Sequence, residues 1–92
     1  RQGLQSVRGD GVLIRAYENR SAGKAALVLV ETRGKTVEAS VESEWMRAAA
    51  TVRLERSDGS SMALDVGVGG ITLQMKPYEA AMLCMDLEEG RQ

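Results

Sequence analysis

The sequence predicts an all-β fold: an antiparallel β-sandwich of about seven strands, immunoglobulin-like or Greek-key in its connections. Three observations carry this. Apolar and polar residues alternate with a period of two along most of the chain, turn residues recur at short and regular spacing, and an apolar stretch reaches almost to the C-terminus with no helix after it. At 92 residues the chain fits one domain with a single core.

Residues 1–10 are polar apart from Leu4 and Val7 and lead into Gly9, Asp10 and Gly11, so they are expected to be a tail or linker ending in a turn. The domain is expected over 11–88, with 89–92 as a C-terminal tail. In the first strand, 11–18, Val12, Ile14 and Ala16 alternate with Leu13, Arg15 and Tyr17. Residues 19–23 turn the chain. The stretch 25–30 is apolar on both faces and is bounded by Gly23 and Gly34, the pattern of a central strand covered on both sides. Arg33 and Gly34 are expected to make a tight hairpin into 35–45, where Val37, Ala39 and Val41 alternate with Thr36, Glu38, Ser40 and Glu42.

Met46, Arg47 and three alanines make 44–50 the one place where a helix is expected, and a short one. Val52 and Leu54 then alternate with Thr51, Arg53 and Glu55. Ser57, Asp58, Gly59 and Ser60 supply a turn, and Met62, Leu64 and Val66 mark the next strand. After a turn at 67–70, Ile71, Leu73 and Met75 oppose Thr72, Gln74 and Lys76. Pro77 ends that strand because it has no N–H for a ladder. Residues 80–87 form the last strand, again apolar on both faces.

Composition narrows the function. Hydrophobic residues are 43 % of the chain but aromatic residues only 3 %, and Phe is absent, so the core must be aliphatic, with Met filling gaps. Twelve basic residues against thirteen acidic ones are scattered evenly and leave no footprint for a polyanion, so nucleic acid is not an expected partner. The single cysteine, Cys84, lies in an apolar run and forms no internal disulfide. There is no His, which removes the commonest general base, the usual zinc ligand and the middle member of a Ser-His-Asp triad. No cofactor, metal site or catalytic residue is expected, and this piece alone is not expected to be an enzyme. No apolar run approaches the roughly 20 residues of a bilayer span, so no membrane partner is expected. The chain starts at Arg1 with no Met or leader and reads as a piece of something longer; its compartment is open.

Gly67, Val68, Gly69 and Gly70 superficially suggest a phosphate-cradling loop, but a strand pattern follows where that motif needs a helix, so a turn is the reading. Glu38, Glu42 and Glu44 are read as a solvated face. Arg8-Gly9-Asp10 and Asn19-Arg20-Ser21 spell an integrin-type tripeptide and a glycosylation acceptor, strings that turn-rich loops produce by chance. The candidates for stacking on a ligand, a glycan in particular, are Trp45, Tyr17 and Tyr78. Trp45 falls in phase with Val37, Ala39 and Val41 and is expected in the core unless a bulge near Ser43 reverses it. Tyr78, after Pro77, is expected to lay its ring over the end of the sandwich with its hydroxyl reaching backbone.

The run Ile71, Leu73, Met75, Pro77, Tyr78, Glu79, Ala80, Ala81, Met82, Leu83 resembles the closing hairpin of the C-terminal β-sandwich domains that follow catalytic barrels in many glycoside hydrolases. The stretch 12–43 is similar to their opening strands, so the resemblance spans 11–87. It departs in having Met75-Lys76 where Leu-Pro is more usual, and in lacking Phe. The resemblance implies a non-catalytic accessory domain that packs on and stabilises an upstream catalytic domain of the same chain, with the catalytic carboxylates in that domain. The alternatives are a glycan-binding module, with carbohydrate as partner, or a self-associating or partner-binding sandwich.

Overall fold

The computed structural model describes residues 5–65 and 70–87. Its strands are β1 (Gln5–Arg8), β2 (Val12–Asn19), β3 (Lys24–Glu31), β4 (Val37–Ser43), β5 (Ala49–Arg56), β6 (Ser61–Leu64), β7 (Gly70–Met75) and β8 (Ala80–Leu87), with one short helix, α1 (Glu44–Ala48), between β4 and β5. They form a three-stranded sheet in the order β1-β4-β7 and a five-stranded sheet in the order β2-β3-β8-β5-β6, every pair antiparallel. The fold is an all-β sandwich.

The core lies between the sheets. Leu27 and Leu29 of β3 and Leu83 of β8 face Ala39 and Val41 of β4 and Met75 of β7, all fully buried. Alternation places them there, because successive side chains of a strand point to opposite faces. The three-stranded sheet is too narrow to cover the wider one, and α1 fills part of the gap. Ser43 caps it: its hydroxyl accepts the N–H groups of Trp45 and Met46 at 3.1 and 3.2 Å, and both side chains turn into the core. At the uncovered edge, Met62 of β6 is inward in register, opposite Leu54, yet remains exposed.

Several expectations change. Residues 5–8, expected within a tail, are β1, an edge strand paired with β4 from Gln5 opposite Ser43 to Arg8 opposite Ser40. Val7 packs on the core, and the Ser43 hydroxyl donates to the Gln5 side chain, so apolar packing and a side-chain hydrogen bond reinforce the ladder with β4. The hairpin expected at Gly34 is a crossing between sheets, since β3 pairs with β2 and β8 while β4 pairs with β1 and β7. The Pro-Tyr corner is likewise a crossing: β7 belongs to the small sheet, and β8 inserts between β3 and β5 of the large one. β3 and β8 are not covered on both sides. The small sheet covers one face, and Ala26, Val28, Val30, Met82 and Cys84 on the other are only half-buried. The two apolar runs therefore mark the centre of the sheet, but one face has no layer over it. Residues 66–69, most of the turn expected at 67–70, lie outside the described residues, as do 1–4 of the expected tail and 89–92.

Candidate functional site

On the uncovered face of the five-stranded sheet, apolar, aromatic and charged side chains meet over a broad surface. Register fixes its rows. Arg15 of β2 is opposite Val28 of β3, Val28 opposite Met82 of β8, and Met82 opposite Glu55 of β5. The next row runs Tyr17, Ala26, Cys84, Arg53, and the next Asn19, Lys24, Asp86, Thr51. Each row is thus polar or aromatic at its ends, and the first two are apolar in the middle. A groove of about 440 Å³ follows the second and third rows, with Tyr17 on one wall and Arg53 on the other.

Local contacts hold these groups. Lys24 donates to Asp86, and the Thr51 hydroxyl donates to the other Asp86 oxygen at 2.9 Å. The Lys24 ammonium and the Thr51 hydroxyl together keep the Asp86 carboxyl below the usual aspartate range. Arg53 donates twice to the Ser61 hydroxyl, at 2.8 and 3.2 Å, and lies 4.0 Å from Glu55. Burial, reinforced by the Glu55 charge, pushes the Cys84 thiol up, so at neutral pH it is a protonated, weakly nucleophilic group on an apolar surface.

A second cluster sits at the end of the sandwich, where 32–36 and 76–79 cross between sheets. Glu31 ends β3 and is 1 % exposed. One of its carboxylate oxygens accepts the N–H of Tyr78 at 2.7 Å and of Gly34 at 2.8 Å, and the other accepts that of Arg33 at 2.9 Å. Burial raises this carboxyl, but the backbone N–H groups of Tyr78, Arg33, Lys35 and Gly34 outweigh it and hold it below the ordinary glutamate range. Glu79, also buried, accepts from Arg56 at 3.1 Å and from the Lys76 N–H at 2.9 Å. Arg56 also donates to the Gln74 carbonyl at 3.0 Å. Both carboxylates are saturated by donors, which suits them to pinning loops.

The three aromatic candidates are not brought together. Trp45 is 7 % exposed and packs in the core, so it offers no platform; it reaches the core through the turn of α1, not as a continuation of β4. Tyr17 is 55 % exposed and lines the groove. Tyr78 is 71 % exposed at the corner, with a positive φ of 58° and its ring lying over Gly34. The expected bond from its hydroxyl to backbone does not form among the described residues; its own N–H, donated to Glu31, makes the tie instead.

Sequence reasoning did not single out Arg15, Lys24, Arg53, Glu55, Cys84 and Asp86 as a surface. The signal was present in β3 and β8, whose second faces are apolar without a third layer in a chain of this size to cover them. Glu31 and Glu79 carried a fainter signal, a carboxylate at each end of the two sheet crossings. Among the described residues no group of three or more His, Cys, Asp or Glu could hold a metal ion, and no helix is long and apolar enough to cross a membrane. In comparisons with known proteins, no family model, no curated protein and no solved structure matches this chain.

Proposed function

We propose that this chain is a non-catalytic packing module, a β-sandwich accessory domain of a larger carbohydrate-active enzyme, and that it works by burying the outer face of its five-stranded sheet against another folded surface. The observation that carries the reading is that face: Ala26, Val28, Val30, Met82 and Cys84 form a half-buried apolar strip, flanked by exposed Leu13 and Tyr17. A contiguous apolar patch rimmed by polar side chains is the mark of an interaction surface. The resemblance to the domains that follow glycoside hydrolase barrels supplies the setting, and the saturated state of Glu31 and Glu79 supports a structural role for the buried carboxylates. Deleting the module from the intact parent tests this. The expected result is a lower melting temperature, a lower turnover, or both; a parent unchanged in both would defeat it.

The groove beside Tyr17 favours a second reading, a glycan site in which the Tyr17 ring is the platform and Arg53, Asn19 and Asp86 offer hydrogen bonds. Calorimetric titration of soluble oligosaccharides into the wild-type chain and into Tyr17→Ala examines it. Binding lost in the variant supports a glycan site, and no heat with either protein removes it.

A further inference from the structure

We propose that the outer face of β2, β3, β8 and β5 is an interface between two copies of this chain, related by a twofold axis that runs parallel to the strands between β3 and β8. The inference rests on the packing role proposed for that face and names the surface that covers it.

The argument is the order of residues within each row. Such an axis reverses every row of one copy over the same row of the other. The row Arg15, Val28, Met82, Glu55 then places each Arg15 over the other copy's Glu55 and each Val28 over Met82. The row Tyr17, Ala26, Cys84, Arg53 places each tyrosine ring over a guanidinium, a favourable cation–π arrangement, and Ala26 over Cys84. The row Asn19, Lys24, Asp86, Thr51 places Lys24 over Asp86, so the pair already formed within each copy becomes an alternating array of four charges. Apolar centres meet apolar centres, and no like charges are superposed.

Neighbouring arrangements fail. With the axis along β3, Lys24 lies over Lys24; with it along β8, Asp86 lies over Asp86. A twofold axis across the strands through the Tyr17 row sets Arg53 over Arg53 and Lys24 over Val28. Of these four axes, the one between β3 and β8 superposes no like charges in any of the three rows. Arg15 has no hydrogen bond or ion pair among the described residues, so its charge is available, and Glu55 is engaged only with Arg53 at 4.0 Å.

Aligned face-to-face packing of two sheets about 10 Å apart is ordinary sandwich geometry. Four strands spaced about 4.8 Å apart, over four rows that include Leu13, Val30 and Ala80, cover about 500 Å² per copy. The total of about 1,000 Å² is at the lower end for specific complexes. The dimer is therefore weak, with association expected at about 10–500 μM.

Sedimentation equilibrium of the 92-residue chain at low ionic strength tests the proposal. Wild type is expected to associate reversibly in that range. Arg15→Glu and Glu55→Arg, each alone, superpose like charges twice and weaken association at least about tenfold. An equimolar mixture of the two variants restores it, because both contacts in the mixed pair are again of opposite sign. Circular dichroism confirms that each variant is folded. A wild type that stays monomeric to about 1 mM, or a mixture no tighter than either variant alone, overturns the dimer. Loss of stability on deleting the module from its parent reads the packing role separately, so a destabilised parent beside a monomeric chain would sink the dimer alone.

Discussion

The Glu31 carboxylate accepts the backbone N–H of Tyr78 at 2.7 Å, across 47 positions of sequence, and so ties the end of β3 to the corner where the chain crosses from β7 to β8. The same oxygen accepts the Gly34 N–H, and the Tyr78 ring lies over Gly34. One buried side chain thereby accepts donors from both crossings, Arg33 and Gly34 in one and Tyr78 in the other, and buried backbone N–H groups require such partners.

Acid should destabilise the fold. Glu31, Asp58 and Asp86 all titrate below their usual ranges: Glu31 through backbone N–H groups that overcome its burial, Asp58 through the N–H and hydroxyl of Ser60, and Asp86 through Lys24 and Thr51. A carboxyl whose folded value is depressed stabilises the fold above its unfolded value, about pH 4. That contribution is lost as pH falls through the depressed folded values. Urea midpoints measured from pH 7 to pH 2 should be flat down to about pH 5 and then fall. Glu31→Gln should lower the plateau and flatten the fall; an unchanged profile would remove Glu31 from this role.

Gly34 should not tolerate a side chain. Its φ is +74°, and an added Cβ would sit 2.7 Å from the Tyr78 ring. Gly34→Ala should cost more than about 1 kcal/mol, from strained backbone plus the clash. Gly59, at φ +91° with open space around it, provides the contrast, since Gly59→Ala meets only the backbone penalty. A double-mutant cycle with Tyr78→Ala should return part of the Gly34→Ala loss; strict additivity would mean the ring is not against Gly34.

The two faces of β8 should respond differently. Leu83 is fully buried between the sheets, and Leu83→Ala should cost about 2–5 kcal/mol in chemical denaturation. Met82, its neighbour on the outer face, is only half-buried, and Met82→Ala should cost less than about 1 kcal/mol in the monomer. Equal losses would mean that the outer face is as enclosed as the core.

The strands with strong alternation were legible in the residues alone. β8 occupies 80–87 as expected, and the helix expected over 44–50 appears as α1, because Ser43 caps it and the alanines permit it. β1 was not legible: four residues with one buried-side apolar group, Val7, become a strand only by pairing with β4, a contact that local pattern does not encode. The crossings at Gly34 and Pro77 were misread as hairpins for a related reason. A turn residue shows that the chain reverses and says nothing about which sheet receives it. The candidate surface was half legible. Apolar residues on both faces of β3 and β8 marked it, but the opposite charges of Arg15 and Glu55 acquire meaning only once register sets them at the two ends of one row.

Cys84, the single cysteine of the chain, sits in the middle of the outer face and reports directly on whether that face is covered. The decisive measurement is its maleimide alkylation rate, followed by peptide mass mapping, in the chain at low micromolar and at near-millimolar concentration. The account predicts slow but complete labelling of the dilute chain, in keeping with a thiol pushed up by burial, and at least about tenfold slower labelling wherever a folded surface closes over the sheet. Equal rates at the two concentrations would contradict it.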